Sequence, residues 1–301
     1  MERLKPLSAE HLRELKLYIQ QSWESEDCER FPGPQPISIE RRHFPALKRQ
    51  PYLVCEKTDG TRYMLVCFVA SDGNKVCALT DRAFTSYYLS VTVPRNTVLD
   101  GELVEAKDGK LLYMVYDAVK ANGVDLRREP LTERLAAAGK VVRGIIKSAK
   151  TPVEVRVKTM LPLEAISALP ALDSFPYETD GIVLTPALEP IRIGTHETMF
   201  KWKPRERITI DFSLQNWHAV NGWELCVQDR GELYSEAALY PSSVLRDAAA
   251  GAIVECGYGD KGWYPVKLRT DKTYPNNRRT YARTLVNIRE NIQLNEFLSI
   301  V

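Results

Sequence analysis

At 301 residues the chain exceeds the roughly 100 to 200 residues of one ordinary domain, so two domains and a sizeable core are expected. With 44% apolar and 27% charged residues it is not a disordered sequence, and a formal net charge of +2 excludes a generally basic nucleic-acid binder, leaving that role to local clusters. No run of about 18 apolar residues and no signal-like N-terminus occur, and the six cysteines form no CxxC pair, which points to reduced thiols in a soluble intracellular protein with no membrane partner.

Leu12, Leu15 and Ile19 recur at helical spacing behind Ser8, a capping residue, and predict a helix over 8–20. From Tyr52 to about Val119 the pattern changes to strands: YLVCEK, RYMLVCFVA, KVCALT, TVLDGELVEA and KLLYMVYDAV. The breaks hold TDG, SDGN and AKDGK, the Asp-Gly signals of hairpins, so an antiparallel sheet is expected. Residues 131–148 read as a helix capped by Thr132, although Gly139 and Gly144 disfavour it locally. Strand signals return at VEVRVK, GIVL and MFKWK. After Pro204 come the short segments ITIDFSLQ, WELCVQD, GELYSE, AIVECGYG and WYPVKLR, spaced as in a small β barrel. The boundary is set near residue 206, giving domains over 1–206 and 207–301; Leu285, Ile288 and Ile292 predict a closing helix.

VCEKTDGTRY (54–63) puts Lys57 where a strand runs into a turn. A lysine beside a hairpin turn is by itself an ordinary surface residue. Here it follows the apolar LVC, and Arg62, Arg82, Lys201 and Lys203 stand in other strand-end segments. Cations converging on one pocket bind polyphosphate and favour a neutral, nucleophilic amine, which would make Lys57 a covalent nucleophile. Lys201 and Lys203 alternate with Trp202, so strand geometry predicts both ammonium groups on one face and the indole on the other.

Six segments then fall into a recognisable order. KTDGTR (57–62), LDGELV (99–104), YMVYDAV (113–119), TDGIVL (179–184), MFKWKP (199–204) and RTDK (269–272) resemble the motifs of the covalent nucleotidyltransferase superfamily, which holds ATP-dependent DNA ligases, RNA ligases and mRNA capping guanylyltransferases. The resemblance covers nearly the whole chain, from about residue 30 to 280. FPGPQPISIER (31–41), VEVRVKTM (153–160) and AIVECGYGDKGWYPVKLRTDKTYPN (252–276) are similar to the capping branch and favour GTP over ATP. The implied fold is α+β: a DNA-ligase-like, ATP-grasp-like nucleotidyltransferase domain of antiparallel sheets and flanking helices, followed by an OB-fold barrel.

The resemblance implies a two-step reaction in which Lys57 accepts GMP from GTP and passes it to the 5′-diphosphate end of an RNA. Lys201 and Lys203 would face the α-phosphate, and Arg62, helped by Arg82, the sugar. Glu102 and Asp180 would divide a divalent metal, Mg²⁺ or Mn²⁺, and the ribose between them in an order left open, with Asp59 and Asp100 stabilising turns. Tyr116 on one side, Ile182 on the other and Lys158 at the edge would hold guanine, with Tyr113 as an alternative stacking residue. Arg269 and Lys272 would meet the β and γ phosphates on domain closure, with Asp271 holding both cations. Seven basic residues against one acid from Lys267 to Arg289, a local excess of +6, offer an RNA track.

The absence of an HCxxxxxR phosphatase loop leads to the expectation of a separate RNA 5′-triphosphatase and cap methyltransferase, with the RNA polymerase II tail as a further partner. The location would be nuclear in a cellular eukaryote and cytoplasmic in a viral system. Two rivals are an ATP-dependent polynucleotide ligase, distinguished by Lys158 and FPGPQP, and a catalytically silent RNA-end-binding scaffold, which the intact set of motif residues argues against.

Overall fold

The computed structural model describes residues 4–147, 152–220, 222–240, 242–246 and 248–300. Along the chain these form α1 (Ala9–Trp23), β1 (Pro34–Ser38), α2 (Phe44–Arg49), β2 (Tyr52–Thr58), β3 (Thr61–Val69), β4 (Lys75–Asp81), β5 (Ser86–Tyr88), β6 (Val91–Thr92), β7 (Thr97–Glu105), β8 (Leu111–Ala121) and β9 (Val124–Asp125). There follow α3 (Leu131–Arg143), β10 (Ile146–Lys147), β11 (Val153–Val157), β12 (Leu161–Pro162), β13 (Thr179–Pro186), β14 (Gly194–Trp202), β15 (Thr209–His218), β16 (Gly222–Asp229), β17 (Glu232–Leu239), β18 (Ile253–Gly259), β19 (Gly262–Leu268) and α4 (Arg278–Glu290).

Two units are distinguished: Met1–Ile37 with Pro45–Lys201 and Ile300–Val301, and Ser38–Phe44 with Trp202–Ser299. The division falls between Lys201 and Trp202, and the second unit includes a segment from far upstream. That segment is tied in by Glu290 Oε2, which accepts from the Arg41 backbone N–H (2.7 Å), and by Asn287, which donates to the Ile39 carbonyl (2.6 Å). Phe44 also packs against Phe297.

In the first unit one sheet runs β11-β8-β7-β3-β4-β5, with β9 on β8, and another runs β1-β14-β13-β2-β12. The larger sheet is antiparallel except where β11 lies parallel to β8. The unbroken apolar run of β3 follows from burial on both faces. Leu65 and Cys67 enter a core with Leu99, Tyr113 and Ala138 of α3, while Met64, Val66 and Phe68 pack with Leu15, Ile19 and Trp23 of α1.

α1 begins as expected, with Ser8 accepting from the His11 backbone N–H at 3.2 Å. α3 does not: Pro130 is the residue before the helix, Thr132 lies inside it, and Gly144 ends it, ahead of residue 148, which is outside the described residues. The ring-fixed φ of Pro130 starts this helix without a side-chain cap. α3 also delivers Arg134, 2% exposed, to Asp117 of β8 through Nε (2.6 Å) and Nη2 (3.0 Å). Burial raises the Asp117 pKa, against the opposing pull of Arg134.

The second unit holds an antiparallel five-stranded sheet of order β17-β16-β15-β18-β19, consistent with the OB expectation. Ile210, Phe212, Leu225, Val227, Val254 and Cys256 form its core. α4, capped by Asn277, closes it with Tyr281 against Phe212 and Trp263. Ile292 lies beyond the end of α4, where its carbonyl accepts from Trp202 Nε1 at 2.7 Å. Among the described residues no helix is long and apolar enough to cross a membrane.

Removing one member of a buried ion pair leaves the other charge unpaired, so Arg134→Ala should destabilise the protein by about 3–5 kcal/mol. Urea unfolding checks this, and the Arg134→Met, Asp117→Leu pair should recover most of the loss.

Candidate active site

Alternation in three neighbouring strands builds one wall of a cleft. Cys55 and Lys57 of β2, Val183 and Thr185 of β13, and Met199 and Lys201 of β14 share a face. Gly181 stands opposite Lys57 and Val183 opposite Cys55 in the β2–β13 register. Glu102, Tyr116, Asp117 and Lys158 supply the other side, and Pro34 to Pro36 with Arg62 and Arg82 complete a cavity of about 300 Å³. The Lys57 ammonium is 2.9 Å from Asp180 Oδ1. Arg62, Arg82 and Lys201 line the same cleft as Lys57, and the Asp180 carboxylate is the ion-pair partner of Lys57. Behind it, burial pushes the Cys55 thiol up to about 12, so the nearby sulfur stays protonated.

The Arg62 guanidinium is buried and held as a fork: Nε donates to Asp100 Oδ1 (3.0 Å), Nη2 to Asp100 Oδ2 (2.5 Å) and Nη1 to the Pro34 carbonyl (2.6 Å). Burial opposes its charge, but the Asp100 carboxylate outweighs that and raises its pKa. Its plane lies over Phe31 (5.4 Å) and Tyr116 (6.0 Å). Tyr116 donates its hydroxyl to Asp100 Oδ1 at 3.0 Å, and burial raises that phenol well above its ordinary value, keeping it a donor. A Cβ on Gly33 would overlap the guanidinium. The FPG segment ahead of β1 is therefore shaped around Arg62.

Thr58 makes the second brace. Its hydroxyl donates to Glu102 and accepts from Lys158 Nζ at 3.1 Å. Lys158 also donates to the Glu56 carbonyl at 2.9 Å, and Glu56 Oε1 accepts from Tyr177 at 3.0 Å.

Several expectations change. Ile182 is fully buried and pairs with Glu56 on the opposite face; Val183 lines the cleft instead, because a one-residue step reverses a strand side chain. Asp100 is no turn residue but the buried partner of Arg62. Asp59 is exposed at the turn after β2. Tyr113 is core, its hydroxyl donating to the Leu99 and Tyr63 carbonyls, so Tyr116 is the cleft-facing tyrosine. Lys201 lines the cleft, whereas Lys203 follows the last residue of β14 and lies in the second unit.

In the second unit Arg269 reaches Asp271 through Nε (2.9 Å) and Nη2 (2.8 Å) and Asp211 through Nη1 (3.0 Å). Lys272 pairs with Asp211, so Asp211 of β15, rather than Asp271, holds both cations. The hydrogen bonds from Arg269 pull the Asp271 carboxyl well below its usual range. Of the basic stretch, Lys267 and Arg278 also meet carboxylates, Glu255 and Glu236; Arg279, Arg283 and Arg289 on α4 have no ion pair among the described residues.

Among the described residues no three His, Cys, Asp or Glu side chains gather as a metal cage. Glu102 lines the cleft and accepts from Thr58, and Asp180 pairs with Lys57; two such carboxylates would suit a cation that keeps several waters, the habit of Mg²⁺.

The mRNA capping enzyme catalytic-domain family model matches residues 5–205, and the mRNA capping enzyme C-terminal-domain model matches residues 195–298. The chain is 26% identical to mRNA-capping enzyme subunit alpha of Neurospora crassa, covering 89% of this chain and 84% of that protein. The Schizosaccharomyces pombe subunit alpha is 27% identical, with 89% and 79% covered. The mRNA-capping enzyme of Danio rerio is 28% identical over 82% of this chain, which spans 45% of that protein's length. A solved mycobacterial DNA ligase D complexed with ATP and MES is similar at a TM-score of 0.48 and 13% identity, covering 80% of this chain and 94% of that one.

Because the Gly33 Cα borders Arg62 directly, Gly33→Ala should displace the guanidinium and raise the KM for the nucleotide by about tenfold, a loss of roughly 1.4 kcal/mol. In an Arg62→Ala background the same change should add little, and a double-mutant cycle of nucleotide KM measures that coupling.

Proposed function

This chain belongs to the mRNA capping enzyme family and is a guanylyltransferase of it, and we propose that Lys57 carries the guanylate between two half-reactions. In the first, the Lys57 amine attacks the α-phosphorus of GTP. A P–N bond forms, the P–O bond to the β-phosphate breaks, and pyrophosphate departs. In the second, a 5′-diphosphate RNA end attacks the same phosphorus, the P–N bond breaks, and GpppN leaves with the lysine restored. The observation that carries this proposal is the placing of the Lys57 amine in a cleft whose walls also hold Arg62, Glu102, Tyr116, Lys158 and Lys201.

The remaining roles follow from what each side chain has left to offer. Lys158 gives two of its three N–H donors to the Glu56 carbonyl and Thr58 and stands 3.5 Å from Glu56 Oε1, so its third donor would turn from that carboxylate to read guanine O6. Arg62 spends three of five on Asp100 and Pro34, leaving two for the ribose edge, with Arg82 on the rim. Tyr116 and Val183 line opposite walls and would sandwich the base. Lys201 and Lys203 would stabilise charge on the α-phosphate, and Arg269 and Lys272, held by Asp211 and Asp271, the β and γ phosphates. Glu102 and Asp180 would hold the divalent cation, Mg²⁺ or Mn²⁺, which when bound neutralises phosphate charge. Asp180 would first have to release Lys57.

GTP and 5′-diphosphate RNA are thus the proposed substrates. A separate RNA 5′-triphosphatase, a cap methyltransferase and the RNA polymerase II tail are the proposed associates, and the proposed setting is the nucleus of a cellular eukaryote or the cytoplasm for a viral system. A ligase would use Lys57 in the same way on ATP, and the family match speaks against it.

Incubation with Mg²⁺ and α-labelled GTP should leave an acid-labile label on the denatured chain, and α-labelled ATP should leave none. Lys57→Ala should reduce the label to background with the fold retained by circular dichroism; a labelled, folded Lys57→Ala protein would remove the proposed nucleophile. Lys158→Ala should raise the KM for GTP by roughly tenfold, about 1.4 kcal/mol, in a titration of label against GTP concentration.

A further inference from the structure

We propose that the outer face of β18 and β19 is a stacking platform for one nucleotide of the acceptor RNA, with Tyr264 as its ring. The inference rests on the guanylyltransferase reading, since it concerns how the second substrate is held.

The platform arises from a gap in the sequence pattern of β18, IVECGYG. Val254 and Cys256 point into the core, and Tyr258 meets Trp263. The alternate, outward positions Gly257 and Gly259 carry no side chain, so the strand offers bare backbone there. In the β18–β19 register Tyr264 lies opposite Gly257 and Gly262 opposite Gly259. The Tyr264 ring fills the bare strip: a Cβ at Gly257 would meet it at 2.5 Å and one at Gly259 at 3.5 Å.

One side of the ring therefore rests on peptide backbone, while the residue is 45% exposed. Among the described residues Tyr264 makes no ring pair and no side-chain hydrogen bond, unlike Trp263 beside it, which meets Phe212, Tyr258 and Tyr281. A rigid, half-open aromatic face on a β-sheet is the geometry on which an unpaired base stacks, without regard to its sequence.

The charges next to it set the character of the binding. Lys267 lies opposite Glu255 and pairs with it, Arg269 is held by Asp271 and Asp211, and Lys272 by Asp211, three carboxylates for three cations. Three cations are thus neutralised in place, so few counterions are released when RNA arrives. Attraction at this face comes from stacking, and its dependence on salt is shallow.

The test uses the full chain and separates the half-reactions: label from GTP reads the first, and transfer of that label to a 5′-diphosphate oligoribonucleotide reads the second. Tyr264→Ala should leave the first unchanged and raise the RNA KM by roughly tenfold, with the same salt slope as the unaltered chain. Tyr264→Phe and Tyr264→Trp should restore the RNA KM, and Gly257→Ala should raise it by displacing the ring. An unmoved RNA KM in Tyr264→Ala would overturn the platform and leave the ring to a protein partner. Parallel loss of both half-reactions, unrescued by Phe, would assign it to packing and overturn the platform equally. Absence of label in the unaltered chain would instead sink the guanylyltransferase reading, and the platform with it.

Discussion

The cleft depends on the buried pair of Arg62 and Asp100. Both side chains are nearly sealed from water, at 8% and 1% exposure, and withdrawing two such charges costs several kcal/mol per ion. A pair of apolar residues would stabilise the fold as well or better. What the ions supply is position. The Asp100 carboxylate fixes the Arg62 fork and accepts the Tyr116 hydroxyl, while the guanidinium lies against Phe31 and over Gly33. Three stretches of chain, at Phe31–Pro34, Arg62 and Tyr116, are thereby gathered around the Asp100–Arg62 pair, and each loses freedom before a ligand arrives.

β2 adds a second constraint through its alternation. Cys55 and Lys57 turn to the cleft, whereas Glu56 and Thr58 turn away from it and brace Tyr177, Lys158 and Glu102. A single strand thus holds the proposed nucleophile on one side and positions its neighbours from the other. This is why the segment lacks the polar, solvated face of an ordinary surface hairpin: Glu56 is buried because Lys158 and Tyr177 satisfy it.

Much of this was legible in the sequence where one residue's role is set by its own strand. The β3–β4 and β7–β8 hairpins, the β14 placement of Lys201 and the capping by Ser8 follow from period and turn chemistry, whereas the expected TDG hairpin is not formed, because β2 and β3 enter different sheets. Val183 was missed in favour of Ile182, because the β2–β13 register that sets Gly181 opposite Lys57 and Val183 opposite Cys55 is closed only in the fold. What sequence order hides are contacts closed by the fold. Asp100 sits in a DG pair that reads as a turn, yet it is inside β7, where its partner is set by register with β3. The attachment of residues 38–44 to the second unit has no local signal, since Arg41 meets Glu290 and Glu296 from the other end of the chain.

Charge counting shows the same limit in energetic form. The basic stretch from Lys267 to Arg289 has an excess of +6 along the chain, but a residue's field depends on its neighbours in space. Asp211, Glu255 and Glu236 come from β15, β18 and β17 and cancel Lys267, Arg269, Lys272 and Arg278 in part. A cation held this way loses reach for distant phosphates but gains a fixed direction, since its side chain is already ordered when a ligand comes. Asp211 therefore does for Arg269 and Lys272 what Asp100 does for Arg62. In each unit a buried carboxylate sets the aim of the arginine that the proposed chemistry requires.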